Sequence, residues 1–374
     1  MRIAGIELVV FRHTSRIVRD AEGHGHPGPA HETTQALTVI RSDEGVAGHC
    51  FGGDEPLVRT AASLLVGEDP FDRERFWQML RRHQRLHADV LTDRNLAVID
   101  NALWDLAGRA LNLPVCKLLG RYRQTVLAYA STMCGDDQPG GLNTPEAYAD
   151  FAAALVGEGY TAVKLHTWMP PLGPEPRRDV AACRAVRDRV GPGVRLMLDC
   201  YHDYSRADAL YIGRALEELD FYWFEEPMNE HSVSSYVWLA KELRIPIVGP
   251  ETAEGKMFTR AEWIRQGAAD ISRYSANVAG ITAMMKAVHL CESFGIQLEV
   301  HGGGAANLQA LGAMGIPGEY YERGLLHPSL RYEDSAPWLR EPIDPMDAEG
   351  RVHISQHPGL GMEIDWAFIE RHKL

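Results

Sequence analysis

From about residue 126 onward the chain repeats one texture: a short apolar run, an amphipathic stretch, then another short run. The runs are TVLAYAST, TAVKLHTW, VRLMLDCY, FYWFEEP, IPIVGPE, ADISRYSA, IQLEVHGG and GEYYERG. Parallel strands need a helical crossover between neighbours, and here every gap between runs can supply one. Eight strands joined this way close into a (β/α) barrel, which leaves no exposed sheet edge. The expected fold class is therefore α/β: a parallel (β/α) barrel of the modified TIM type over residues 124–325.

The remainder reads as an α+β capping domain. Residues 1–123 open with strand patterns, IAGIELVVF and ALTVIRSDEGVAGHCFGG, the second with a turn at Asp43, Glu44 and Gly45. Between them RDAEGHGHPGPAHETT, about residues 19–34, has no apolar period and reads as a mobile lid loop. Helical patterns follow, the clearest being RNLAVIDNALWDLAGRALNL with Pro114 beyond its end. The proline-rich segment 326–374 lacks the barrel repeat and is expected to return to the capping domain.

A formal net charge of −13 argues against nucleic acid or an anionic membrane as partner, because phosphate wants a basic surface. A small acidic substrate remains possible if a local cation supplies positive charge. Six scattered cysteines without a C-x-x-C pair read as reduced thiols, and the N-terminus has no signal-peptide layout, so a cytoplasmic location is expected. No apolar run approaches the ~20 residues of a membrane span.

In such a barrel the chemistry sits at the C-terminal strand ends. The third, fourth and fifth runs end at Asp199, Glu225 and Glu251, each 26 residues after the last (225 − 199 and 251 − 225). Three carboxylates converging on one rim repel unless a cation joins them, and all-oxygen ligation suits Mg²⁺. The second run ends in Lys164 and His166, two apart and so on one side of a strand. The seventh gives His301, followed by three glycines.

These residues resemble the enolase superfamily, specifically its mandelate racemase-like branch. AVIDNALWDLAGRALNLPVCKLLG is similar to that branch's capping-domain helix signature, and VAGITA resembles its Gly-Gly-Ile-Thr turn with Ala279 in place of one glycine. The resemblance implies that Asp199, Glu225 and Glu251 hold Mg²⁺, with Glu226 beside the middle ligand. It implies that Lys164 neutralises an enolate, that His166 stands where a second lysine often serves as base, and that Glu322 bonds the substrate carboxylate. The branch pairs its seventh-strand histidine with an aspartate, and Tyr274 stands there instead, leaving His301 without that partner. His24, His26, His202 and Tyr274 are the candidate substrate contacts. The resulting expectation is dehydration of a sugar acid to a 2-keto-3-deoxy acid by a homo-oligomer. His166 would take the α proton and His301 protonate the leaving hydroxyl. A racemase or epimerase on the same site, and a non-catalytic binding protein, are the competing readings.

Overall fold

The computed structural model describes residues 1–21, 23–315 and 318–374. An antiparallel sheet of β1 (Ile3–Arg19), β2 (Gly25–Ser42) and β3 (Ala47–Phe51) opens the chain. Helices at Glu55–Leu65, Arg73–His83 and Asp93–Ala110 complete this capping domain. The barrel follows with β4 (Thr125–Thr132), β5 (Ala162–His166), β6 (Arg195–Asp199) and β7 (Trp223–Glu225). It continues through β8 (Ile247–Val248), β9 (Ile271–Tyr274), β10 (Gln297–Val300) and β11 (Tyr320–Leu326). These eight lie in the order β10-β9-β8-β7-β6-β5-β4-β11 and form a nearly closed barrel. Side chains bridge the seam between β10 and β11: Glu299 accepts the Glu319 N–H (2.9 Å), and Glu322 accepts the Gly302 N–H (2.6 Å).

Alternation along the strands sorts two layers. Tyr129, Ala162, Met197, Trp223, Val248, Ile271 and Tyr320 fill the barrel interior. Their neighbours Val163, Leu196, Leu198, Phe224, Ile247 and Leu298 pack outward against the helices. Residues two beyond the inner layer therefore point into the barrel mouth. The C-terminal segment returns by two routes. β12 (Arg351–His353) pairs antiparallel with β4, while Trp338, Ile364 and Ile369 pack on Val9, Phe11, Leu37 and Val39 of the capping sheet.

The segment read as a lid loop is largely strand. Residues 25–34 begin the 18-residue β2, and β1 pairs with it as far as Val18↔His26 and Arg19↔Gly25. A two-stranded ribbon can be held mainly by its backbone bonds, and most side chains of residues 25–34 are partly or fully exposed, so the stretch needs no apolar period. Pro27 and Pro29 are tolerated because a ribbon edge leaves their missing N–H groups without a required partner.

The signature helix Asp93–Ala110 joins domain to barrel through its polar residues. Asp100 accepts from the Thr282 N–H (2.8 Å) and hydroxyl (2.6 Å). Asn101 donates to Ala276 O (3.0 Å) and accepts the Ile281 N–H (3.1 Å), and Trp104 donates to the Thr282 hydroxyl (3.0 Å). Asp105 takes the N–H groups of His49 (2.9 Å) and Leu360 (2.7 Å), tying in β3 and the tail. At Gly280 φ is +86°, and a Cβ there would stand 2.4 Å from Asp100 Oδ2. Ala279 is buried and is not among the positive-φ residues. The turn thus requires glycine at only one of its two positions, which accounts for the alanine. Gly280→Ala should cost about 1–3 kcal/mol by combined strain and overpacking. Denaturant unfolding would read this as a lower midpoint; an unchanged midpoint would contradict the docking described.

Candidate active site

Strand register brings the sequence candidates onto one level. His166, Asp199 and Glu225 are successive partners across β5, β6 and β7, and Glu251 follows three residues after the end of β8. The Lys164 ammonium lies 2.9 Å from Asp199 Oδ2, 3.1 Å from Glu225 Oε1 and 3.0 Å from Glu322 Oε1. Burial opposes its charge, but these three carboxylates hold its pKa well above the ordinary lysine value. Asp199 and Glu322 respond in kind. Burial would raise both, yet Lys164 pulls both well below the usual carboxylate range, helped at Asp199 by His166 and at Glu322 by Arg273.

His166 Nδ1 lies 2.7 Å from the Thr132 carbonyl, and Nε2 lies 3.0 Å from Asp199 Oδ2. A carbonyl can only accept, so Nδ1 donates there, which leaves Nε2 facing the Asp199 carboxylate, itself an acceptor. His301 reaches the site from β10. Its Nδ1 contacts Glu251 Oε1. Burial opposes charge on this ring, but Glu251, and behind it Glu322, raise its pKa. The carboxylate partner that the sequence appeared to lack is thus supplied by Glu251.

One residue of the site that sequence reasoning missed is Arg273. It is fully buried, its Nε lies 2.8 Å from Glu225 and 3.4 Å from Glu251, and its Nη2 lies 2.7 Å from Glu322. Nη2 also donates to the Tyr129 hydroxyl (3.0 Å). Strand parity was the available signal: Ile271 faces inward, so Arg273 does too. Tyr274 consequently faces out, packed 3.9 Å from the Arg260 guanidinium, and is not brought to the site. Glu322 accepts from Ser131 (2.8 Å), Gly302 N–H, Lys164 and Arg273. As an ionised acceptor it has no proton to donate to a substrate carboxylate; here it holds the two cations. The glycines after His301 serve this arrangement, since Gly302 at φ +72° turns its N–H onto Glu322.

Glu226 faces the next layer. It accepts the Glu251 N–H (2.9 Å), and His202 Nε2 lies 3.2 Å away. Glu230, also missed, accepts the Thr252 hydroxyl (2.9 Å) and the N–H groups of Glu251 and Ala253. Together they fix the loop carrying Glu251. Burial, then the charges of Glu251 and Glu230, push the Glu226 pKa well above normal. His202 therefore braces Glu226. His24 reaches the rim differently, its ring 4.1 Å from that of Tyr201, which is 6.0 Å from His166. His26 turns back to Asp20 (2.8 Å).

Among the described residues this mouth gathers six acids, Asp199, Glu225, Glu226, Glu230, Glu251 and Glu322, around two permanent cations, Lys164 and Arg273. The deficit shows at Glu225. Burial, Asp199 and Glu251 push it up to about 7 although Arg273 and Lys164 pull it down. An all-oxygen set short of positive charge has the chemistry that suits a hard divalent ion, and Asp199, Glu225 and Glu251 are its candidate donors. Among the described residues no helix is long and apolar enough to cross a membrane.

Comparison with known proteins places the chain in a family. Residues 28–120 match the mandelate racemase / muconate lactonizing enzyme N-terminal domain, and residues 147–368 match the enolase C-terminal domain-like family. A crystal structure of D-glucarate dehydratase from Agrobacterium tumefaciens complexed with magnesium is 52% identical. It superposes with a TM-score of 0.97 over 100% of this chain and 99% of that one. D-galactarolactone cycloisomerase of Agrobacterium fabrum is 29% identical, over 88% of each chain. Arabinonate dehydratase of Saccharolobus solfataricus is 29% identical over 92% of this chain and 91% of its own. With both of its domains matched, the chain belongs to the mandelate racemase / muconate lactonizing enzyme family of the enolase superfamily.

Proposed function

We propose that the protein is a Mg²⁺-dependent hydro-lyase that converts a sugar acid to a 2-keto-3-deoxy acid. The observation that carries this reading is a pair of imidazoles on one acid-lined mouth. His166 stands beside Lys164 and Asp199, and His301 beside Glu251. Relatives described as D-glucarate, D-gluconate and arabinonate dehydratases support the same reading.

A divalent cation held by Asp199, Glu225 and Glu251 supplies Lewis acidity toward the substrate carboxylate. The protein's own groups do the rest. Lys164, kept charged by its three carboxylates, offsets the negative charge that develops when the α proton leaves. His166, its Nδ1 held by the Thr132 carbonyl, takes that proton at Nε2, which requires Nε2 to be free of the proton it otherwise donates to Asp199. His301, whose neighbours favour its protonated form, donates a proton as the C3–O bond breaks, so water departs and the enol relaxes to the ketone. Arg273 and Glu322 hold Lys164, Glu225 and Glu251 in register. Epimerisation shares the first step, and the cycloisomerase relative favours keeping it as the second reading. Deuterium incorporation with all hydroxyls retained would identify it.

Three outcomes follow. Replacing Glu225 by Gln, or removing divalent metal with chelator, should abolish 2-keto acid formation across a library of acid sugars; full activity after chelation would refute the metal assignment. His301→Asn should still exchange the α proton in D₂O but lose dehydration by about 10²–10⁴-fold, whereas His166→Asn should lose both. The opposite pattern would reverse the two roles. Arg273→Met strands the buried acids and should lower stability by about 3–5 kcal/mol. Added Mg²⁺ should recover part of the lost melting temperature, and a melting temperature equal to wild type without metal would count against the charge balance described.

A further inference from the structure

The β1–β2 hairpin end gathers a set of groups of metal-ligand type, distinct from the carboxylates of the barrel. His26 Nε2 and His24 Nδ1 lie 2.8 Å and 3.3 Å from the same atom, Asp20 Oδ2. The three ligand atoms all stand within 4.8 Å of one another. His24 is 6% exposed, and its Nδ1 makes no hydrogen bond despite that burial. Asp20 Oδ1 accepts the His24 N–H (2.9 Å), which fixes the carboxylate relative to the ring. His327, close enough to His26 to feel its charge, is committed to Asp136 at 2.7 Å.

We propose that Asp20, His24 and His26 bind a first-row transition ion, Zn²⁺ or one of similar preference. Ligand atoms around a tetrahedral ion at about 2.0–2.1 Å stand about 3.3 Å apart. The His24 edge already has this length, and the His26 edge needs to open by about 0.5 Å. Two imidazoles and one carboxylate suit Zn²⁺, Co²⁺ or Fe²⁺ and are poor ligands for Mg²⁺. The two sites therefore select different ions, oxygen donors in the barrel and nitrogen donors on the hairpin. The ion satisfies the buried His24 Nδ1, which otherwise carries the cost of an unpaired polar group. It also holds the His24 ring edge-on against Tyr201, and so fixes what roofs His166. On this assignment His24 and His26 are metal ligands, and the substrate meets Tyr201.

The test uses the full-length protein in excess Mg²⁺. Wild type should bind one Zn²⁺ per chain by elemental analysis, and Co²⁺ in its place should show the visible absorption of a tetrahedral nitrogen-oxygen site. Asp20→Asn, His24→Gln and His26→Gln should each lose this ion, while Glu225→Gln keeps it. Zinc should raise the melting temperature of wild type and of Glu225→Gln, and of none of the hairpin variants. Absence of the cobalt band in wild type overturns the proposal whatever the variants do. So does zinc that vanishes with Glu225→Gln and survives all three hairpin substitutions.

Discussion

The barrel mouth depends on the electrostatic balance between buried acids and two buried cations. Removing a charge from water costs several kcal/mol, and only close opposite charge with complete hydrogen bonding recovers it. Lys164 and Arg273 each contact three carboxylates, and Glu225 and Glu322 contact both of them, so two cations and four carboxylates form one connected lattice. The lattice is short of positive charge, as Glu225 pushed up to about 7 and Glu226 raised well above its ordinary value record. A further cation would relieve that deficit. The same deficit keeps Lys164 charged and raises the pKa of His301, as the roles proposed for them would need.

Around this lattice the rest of the fold acts as a frame. The inner layer of aromatic and aliphatic side chains, Tyr129, Trp223 and Tyr320 among them, closes the barrel below the site and excludes water from one side. Trp223 adds a direct bond, its indole N–H to Glu225 Oε2 at 2.9 Å. The capping domain is fixed by Asp100, Asn101, Trp104 and Asp105, whose polar groups satisfy backbone ends on the barrel helix and the tail. That attachment sets where the long hairpin starts. The hairpin's own backbone pairing then carries His24 to Tyr201 and the barrel rim.

Some of this was legible in advance for a simple reason. Asp199, Glu225, Lys164 and His166 belong to strands whose apolar runs end abruptly in charge, and a parallel barrel puts all such ends on one rim. Glu251 was found by the same spacing although its strand is only two residues long. Other features needed the third dimension. Arg273 and Tyr274 are adjacent in a strand, and which of them faces in is a matter of register, since a one-residue shift exchanges the faces. Glu230 lies in no strand and acts only through the loop it binds. The stretch 25–34 has strand conformation without strand pattern, because ribbon pairing needs backbone and not burial.

The sequence by itself determined the class of fold, the carboxylate spacing and the lysine-x-histidine pair, because all three rest on periodicity along one chain. Only the tertiary structure decided who partners whom. It gave His301 the carboxylate of Glu251 in place of the absent aspartate, and it put Arg273 among the carboxylates. It also set Glu322 to hold cations, and brought Asp20, His24 and His26 together at one turn. Interactions between side chains scale with distances of a few ångströms, and residues 251 and 301 are brought that close by barrel closure, which no local pattern encodes.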